Sequence, residues 1–171
     1  MSMHVATTVL LLGATLSLGA CAKQAPAPER AAEVTAETTA VPAPTQALPL
    51  VVVHKSPSCG CCGLWVDHMR QAGFQVEVRD EDNVNPVKER VGVPYGKGSC
   101  HTAEVGGYFI EGHVPAADVK RLLAEKPDAK GLVLPGMPTG SPGMEMPDGH
   151  TEPYTVELVR RDGTTAAFAA H

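Results

Sequence analysis

"LPLVVVHKSPSCGCCGLWVDHMRQAG", residues 48–73, is the stretch on which the fold turns. It opens with a continuous apolar run bounded by prolines, the pattern of a strand buried on both faces. It closes with Leu64, Trp65, His68, Met69 and Ala72 at helical spacing and with Gly73 as a stop, which predicts a helix over 63–72. Between the two lie Cys59, Cys61 and Cys62, at a strand-to-helix junction.

Cys59 and Cys62 have the Cys-x-x-Cys spacing, which sets two sulfurs at the first turn of a helix, where free N–H groups and the helix dipole favour the thiolate. Cys61 stands between them, so any disulfide made by either has a third thiol beside it that can attack and scramble it. Three neighbouring thiols suit bridging a soft metal better than a clean two-electron couple.

Downstream, "FQVEVRD" (74–80) alternates like a half-buried strand, and Asn85-Pro86 opens a short helix that Gly92 ends. "HTAEV", Gly106-Gly107 and "YFIEG" read as a hairpin, the paired glycines supplying the positive φ of a tight turn. Pro115 opens a helix with Val119, Leu122 and Leu123 on one face, which stops at Lys126-Pro127. The order β-α-β-α-β-β-α is the thioredoxin-like order of an α/β fold, with the cysteine motif between its first strand and first helix. A Gly/Pro-rich segment (131–150) follows. A strand pair (154–159 and 164–169) turned by Arg161-Asp162-Gly163 completes the chain.

In such a fold the loop entering the third strand faces the cysteine motif, and the place usually held by a cis-proline falls at Cys100 or His101. Successive strand residues point to opposite faces, so only one of the pair is sure to reach the motif, and Cys100 is favoured. "GMPTGSPGMEMPDGH" (136–150) carries Met137, Met144, Met146 and His150 in a segment too rich in Gly and Pro for helix or strand. A long structureless loop in a compact domain is more often functional than accidental. Thioether, thiolate and imidazole together make a soft donor set that selects Cu(I).

Blander readings stand beside these. The four cysteines could form two structural disulfides, although adjacent Cys61 and Cys62 make unstrained pairing awkward. The loop methionines could pack over the sheet. Met69 reads as core, and His54, His68 and His113 as surface or internally satisfied histidines. His101, His150 and His171 are left open, and Asp80, Glu81 and Asp82 read as a solvated loop.

The N-terminal region is of another kind. Val5 to Leu18 is mostly apolar, too short for a comfortable membrane span, and leads into "LGAC" at 18–21. This resembles the bacterial lipobox, in which the cysteine is acylated and becomes the new N-terminus. Residues 1–20 are then an export signal, Cys21 carries the lipid, and 21–48 form an Ala/Pro/Thr/Glu tether too poor in large apolar side chains to fold. The domain runs over 49–171. It would stand in the periplasm on a bacterial membrane, with Ala22 rather than Asp after Cys21 favouring the outer one. With 14 Lys+Arg against 19 Asp+Glu, a formal charge of -5 and no basic stripe, nucleic acid is not an expected partner.

"HKSPSCGCCGLWVDHMRQAGF", "GSCHTAEVGGYFIEGHVPAADVKRLL" and "GLVLPGMPTGSPGMEM" together resemble the CopG-like periplasmic copper-resistance proteins, a family long catalogued as a domain of unknown function. The resemblance covers nearly all of residues 50–170. It implies a thioredoxin-like fold, copper held through the clustered cysteines with more than one ion, and a role in handling or interconverting Cu(I) and Cu(II). Carried to this chain, it makes Cys59, Cys61, Cys62 and Cys100 the thiolates. Met137, Met144, Met146 and a histidine, His101 or His150, would complete the site. Copper ions and other periplasmic copper-handling proteins are the implied partners. Two alternatives stay open: a metal-free thiol-disulfide oxidoreductase with Cys59 as nucleophile and Cys62 as resolving thiol, and an interaction module held by zinc in the four cysteines.

Overall fold

The structure is a computed structural model describing residues 47–171; the expected export signal, Cys21 and nearly all of the tether lie outside the described residues. The elements are β1 (Val51–Lys55), α1 (Gly60–Gln71), β2 (Val76–Asp80), α2 (Asn85–Val91), β3 (His101–Val105), β4 (Tyr108–Glu111), α3 (Ala116–Glu125), β5 (Ala129–Val133), β6 (Thr155–Arg160) and β7 (Thr165–Ala170). The strands form one mixed sheet in the order β2-β1-β3-β4-β5-β6-β7. Strands β1 and β2 are parallel, as are β4 and β5, and every other neighbouring pair is antiparallel. No helix among the described residues is long and apolar enough to cross a membrane.

Helix α1 begins earlier than the sequence pattern suggests, at Gly60 instead of Gly63, so Cys61 and Cys62 sit inside its first turn and Cys59 caps it. The Gly63 N–H donates to the Cys59 carbonyl, extending the helical ladder back to the motif. Glycine's poor helix propensity hides this start. Strand β2 is shorter than expected and mostly exposed rather than half-buried, because it is an edge strand, and Glu77 and Arg79 give that edge charge. Gly106 and Gly107 take φ of 55° and 86° in the β3–β4 turn, as anticipated. Strand β5 was not expected: "AKGLV" is a short run leading into the Gly/Pro-rich segment, yet it lies between β4 and β6. The C-terminal strand pair extends this same sheet.

One face of the sheet is covered by α1 and α3. Trp65, Met69, Val119 and Leu122 pack there against Val51, Val53, Ala103, Ile110 and Leu132, all fully buried. Burial of side chains of this size contributes roughly 1.5–3 kcal/mol each. The opposite face carries a smaller cluster of Phe109, Val133 and Val159, with Val91 and Val93 against it. Trp65 also donates its indole N–H to the Val114 carbonyl at 2.8 Å, tying α1 to the segment after β4.

Candidate metal centre

Strand direction brings the chemistry to one end of the sheet. Strands β1, β4 and β5 run one way and β3 and β6 the other. The chain leaving β1 toward Cys59, the loop bringing Cys100 into β3, the segment carrying His113 away from β4 and the loop from β5 to β6 therefore all meet at that end.

Cys59 and Cys62 are joined in a disulfide, and Cys61 and Cys100 are free. The expectation of an unclean couple meets a definite pairing, with Cys61 left reduced beside it. Cys61 Sγ is 3.6 Å from Cys59 Sγ, and Cys100 Sγ is 3.3 Å from Cys62 Sγ. All four sulfurs lie within 4.8 Å of one another. Two thiolates on one tetrahedral ion, each bound at about 2.3 Å, stand about 3.8 Å apart, so once the Cys59–Cys62 bond is reduced the remaining spacings need little change to bridge a metal.

Cys100 and His101 both reach the centre, because strand alternation does not apply across the start of β3, where His101 is the first residue. His101 is fully buried, with Nδ1 3.5 Å from Cys100 Sγ and Nε2 without a hydrogen-bond partner. Its ring lies 4.5 Å from that of Trp65 and edge-on to His113 at 5.0 Å. Burial, reinforced by His113 and Lys88, pushes the His101 pKa well below the ordinary imidazole value.

His113 is the residue that sequence reasoning missed. It is fully buried, and its Nδ1–H donates to the Pro142 carbonyl at 2.8 Å. A carbonyl only accepts, so the lone pair is on Nε2, which faces Cys100 Sγ at 3.0 Å. The Cys100 thiol is therefore the donor. Burial first, and then the neighbouring Cys61, push Cys100 up to about 11. Burial also lowers the His113 pKa, against the Pro142 carbonyl and Glu145, which raise it. The signal for His113 was in the hairpin itself: β3 and β4 pair Thr102 with Glu111 and Ala103 with Ile110, and extending that register sets position 100 opposite 113.

The loop carrying Cys100 is anchored by a buried carboxylate. Glu111, fully buried, accepts from Lys88 Nζ and the Ser99 N–H at one oxygen and from the Thr102 hydroxyl at the other, 2.7 Å away. The Ser99 hydroxyl donates in turn to the Gly136 carbonyl, lacing this loop to the methionine segment.

That segment seats on the cysteine helix through Gly143, whose φ is 85°; a Cβ there would stand 2.7 Å from the Cys61 carbonyl oxygen and 2.9 Å from Trp65 N. Met144 follows directly and is partly buried, whereas Met137 and Met146 are 49% exposed. His150 is exposed and belongs to neither cluster around the sulfurs. Elsewhere, His68 Nε2 accepts from the Ala116 N–H at 3.0 Å, His54 lies between Glu81 and Glu104, and His171 pairs with Asp118 at 2.7 Å. The supposed solvated loop is thus partly paired, since Glu81 meets His54 and Asp80 meets Lys55.

Sulfur and imidazole donors converging at one end of an α/β sheet define a candidate site for a soft or borderline metal ion. A family model described as "Protein of unknown function, DUF411" matches residues 97–144, a span that includes Cys100, His101, His113, Met137 and Met144. No curated protein matches the chain. Among solved structures, "Copper resistance protein copG- Form 1" is 44% identical, with 72% of this chain and 98% of that chain covered and a TM-score of 0.68. "Copper resistance protein copG- Form 2" has the same identity and coverage and a TM-score of 0.69. The chain belongs to the family of the copper resistance protein CopG.

Proposed function

We propose that this protein is a copper-resistance protein that holds more than one Cu(I) ion through Cys59, Cys61, Cys62 and Cys100 and interconverts Cu(I) and Cu(II). The observation that carries this reading is the convergence of four sulfurs, from two separate chain segments, within 4.8 Å. Copper is the cargo. Thiolate is a strong bridging donor toward Cu(I), and Met144, directly after the Gly143 that packs against the Cys61 carbonyl, offers a thioether as a supplement from the loop seated over the cysteine helix. Met137, Met146 and His150 are outer contributors on the same loop.

The redox step balances within the motif. When the reduced Cys59 and Cys62 close to a disulfide they release two protons and two electrons, which converts two Cu(II) to two Cu(I). Reopening the disulfide takes two electrons and two protons from an external dithiol, which leaves as its own disulfide, and restores the full sulfur set.

Thioredoxin-like is the reading of the fold that accompanies this proposal. It is supported by the sheet segment β2-β1-β3-β4, with β1 parallel to β2 and antiparallel to β3, and by a cysteine motif at the start of α1. The proposed setting is the periplasm, with residues 1–20 as export signal, a lipid on Cys21, a tether to residue 48, and other periplasmic copper-handling proteins as partners.

A second reading, a metal-free thiol-disulfide oxidoreductase, is favoured by the Cys59–Cys62 disulfide at a helix N-terminus. One experiment separates the two. In an anaerobic Cu(I) titration of the reduced chain against a chromophoric chelator, with Zn(II) run in parallel, copper resistance predicts tight binding of more than one Cu(I) retained against zinc. Weak copper binding together with reduction of insulin disulfides would establish the second reading instead.

A further inference from the structure

We propose that the end of the sheet opposite the cysteines is a membrane-docking surface, which lays Leu50, Lys120, Lys126 and Lys130 against anionic phospholipid headgroups and turns the cysteine end away from the bilayer. This goes beyond the copper reading and needs no copper; the two share only the proposed tether.

Strand direction sets this end as it sets the other. Strands β1 and β5 begin there, the Gly106-Gly107 turn joins β3 to β4 there, and α3 finishes there before β5. Two open hollows flank the segment 47–50 by which the chain enters the domain, and both include Gly106 and Tyr108. Together they are lined by five cations, Arg90, Lys120, Lys126, Lys130 and Arg161, against one carboxylate, Glu104, in a chain whose formal charge is -5.

The lysines fall into two groups. Among the described residues, Lys55, Lys88 and Lys97 pair with Asp80, Glu111 and Glu157, respectively. Lys120, Lys126 and Lys130, the remaining lysines of the described residues, form no ion pair there, and all of them line the hollows. The carboxylates of this end are engaged with arginines or with their own turn. Glu104 accepts from Arg90 at 2.8 and 3.0 Å, Asp128 from Arg161 at 2.9 Å, and Glu125 lies 3.5 Å from Arg121. Asp162 accepts from Thr164. At the cysteine end the balance is reversed: Glu145, Asp148 and Glu152 accept only from backbone N–H groups of their own loop, and Asp82 forms no ion pair among the described residues.

This division gives the domain a direction near an anionic surface. The unpaired ammonium groups are drawn in and the acidic end is pushed out, over a screening length of about 10 Å at 0.1 M salt. Apolar groups accompany the charges, as membrane contact requires. Leu50, in the first hollow, is 46% exposed, and Leu48, Leu123 and Ala124 line the second. Lysine suits such a border, since its stem covers apolar surface while its head reaches the phosphates. The tether enters at this same place, so a lipid on Cys21 would hold this end nearest the bilayer, where a weak attraction acts at high effective concentration.

The test uses the metal-free chain from residue 22 onward, which lacks the apolar N-terminal segment and Cys21 and contains the whole described core. Vesicles of equal parts phosphatidylcholine and phosphatidylglycerol are expected to sediment it at low ionic strength and to release it as salt is added, whereas phosphatidylcholine alone leaves it in solution. The triple variant Lys120→Gln, Lys126→Gln, Lys130→Gln should bind at least about tenfold more weakly, because each lysine near an anionic surface adds to the attraction. Its thermal midpoint establishes that it is folded. Hydrogen exchange of the vesicle-bound protein should slow at residues 47–50 and at the Gly106-Gly107 turn and stay unchanged around Cys59 and Cys62. No binding to the anionic vesicles, equal binding to both kinds, full binding by the folded triple variant, or protection at the cysteine end overturns the inference. Protection of the turn without vesicles, in protein that sediments as a dimer, overturns it too and gives the surface to a second copy. No arm contains copper, so each of these failures leaves the copper reading standing.

Discussion

Cys100 Sγ rests 3.3 Å from Cys62 Sγ although Cys62 is already bonded to Cys59, so the fourth sulfur of the set waits beside a closed disulfide. Reduction is then the step that completes the thiolate cluster. Treating the full chain with a phosphine should raise its Cu(I) stoichiometry above that of the disulfide form, and Cys59→Ser should abolish the difference. Equal stoichiometry in both redox states, counted by metal analysis after chelator competition, would remove reduction from the binding scheme.

The same sulfur should be slow to alkylate. With its pKa pushed up to about 11, Cys100 is protonated at neutral pH in the disulfide form. Only the thiolate reacts with iodoacetamide, so the rate at Cys100 should rise about tenfold per pH unit as pH increases from neutrality and level off only near the pKa. Peptide mass spectrometry of alkylated Cys100 over a pH series reads this directly. A rate already flat at pH 8 would mean that the thiol is ionised.

Gly143 should tolerate no side chain. A Cβ would press on the backbone of Cys61 and Trp65, and φ at 85° is strained for any L-residue. Gly143→Ala is expected to cost about 2 kcal/mol or more in urea denaturation, through clash and backbone strain together. It should also weaken copper retention, because the loop bearing Met144 loses its seat. Stability and copper retention both unchanged would show that the loop does not rest on α1 as described.

Glu111 should prove structural at a distance. Glu111→Gln keeps the shape but removes the charge facing Lys88 and weakens the acceptor for Ser99 N–H, at an expected cost of about 2–3 kcal/mol. Denaturant midpoints of this variant, of Lys88→Met and of the double variant should be non-additive, since the two side chains share one interaction.

Much of this was legible because local chemistry and tertiary structure agree. The valine run, the Gly106-Gly107 turn and the Gly92 stop each carry a backbone requirement that only a few residue types meet. Strand β5 escaped because a five-residue strand containing Gly131 has no periodicity to distinguish it from the loop it enters. His113 escaped because a histidine just after a strand is unremarkable alone; it gains meaning only through its cross-strand register with Cys100. The convergence of Cys100 and the cysteine motif followed from topology, and the Cys-x-x-Cys spacing already paired Cys59 with Cys62 as one alternative; the adjacent Cys61, free beside the closed bond, is what kept that pairing from being the preferred reading.

The direction of β1 has a practical corollary. The chain enters the sheet at Val51 and reaches the cysteines only beyond Lys55, at the strand's far end, while β7 runs so that Ala170 and His171 finish at the cysteine end. The domain is wired like a plug whose cable leaves from the back. An affinity handle or surface linkage on the N-terminal side leaves the donors unencumbered, whereas a polyhistidine handle appended after His171 would bring competing imidazoles to the end where copper is to be counted.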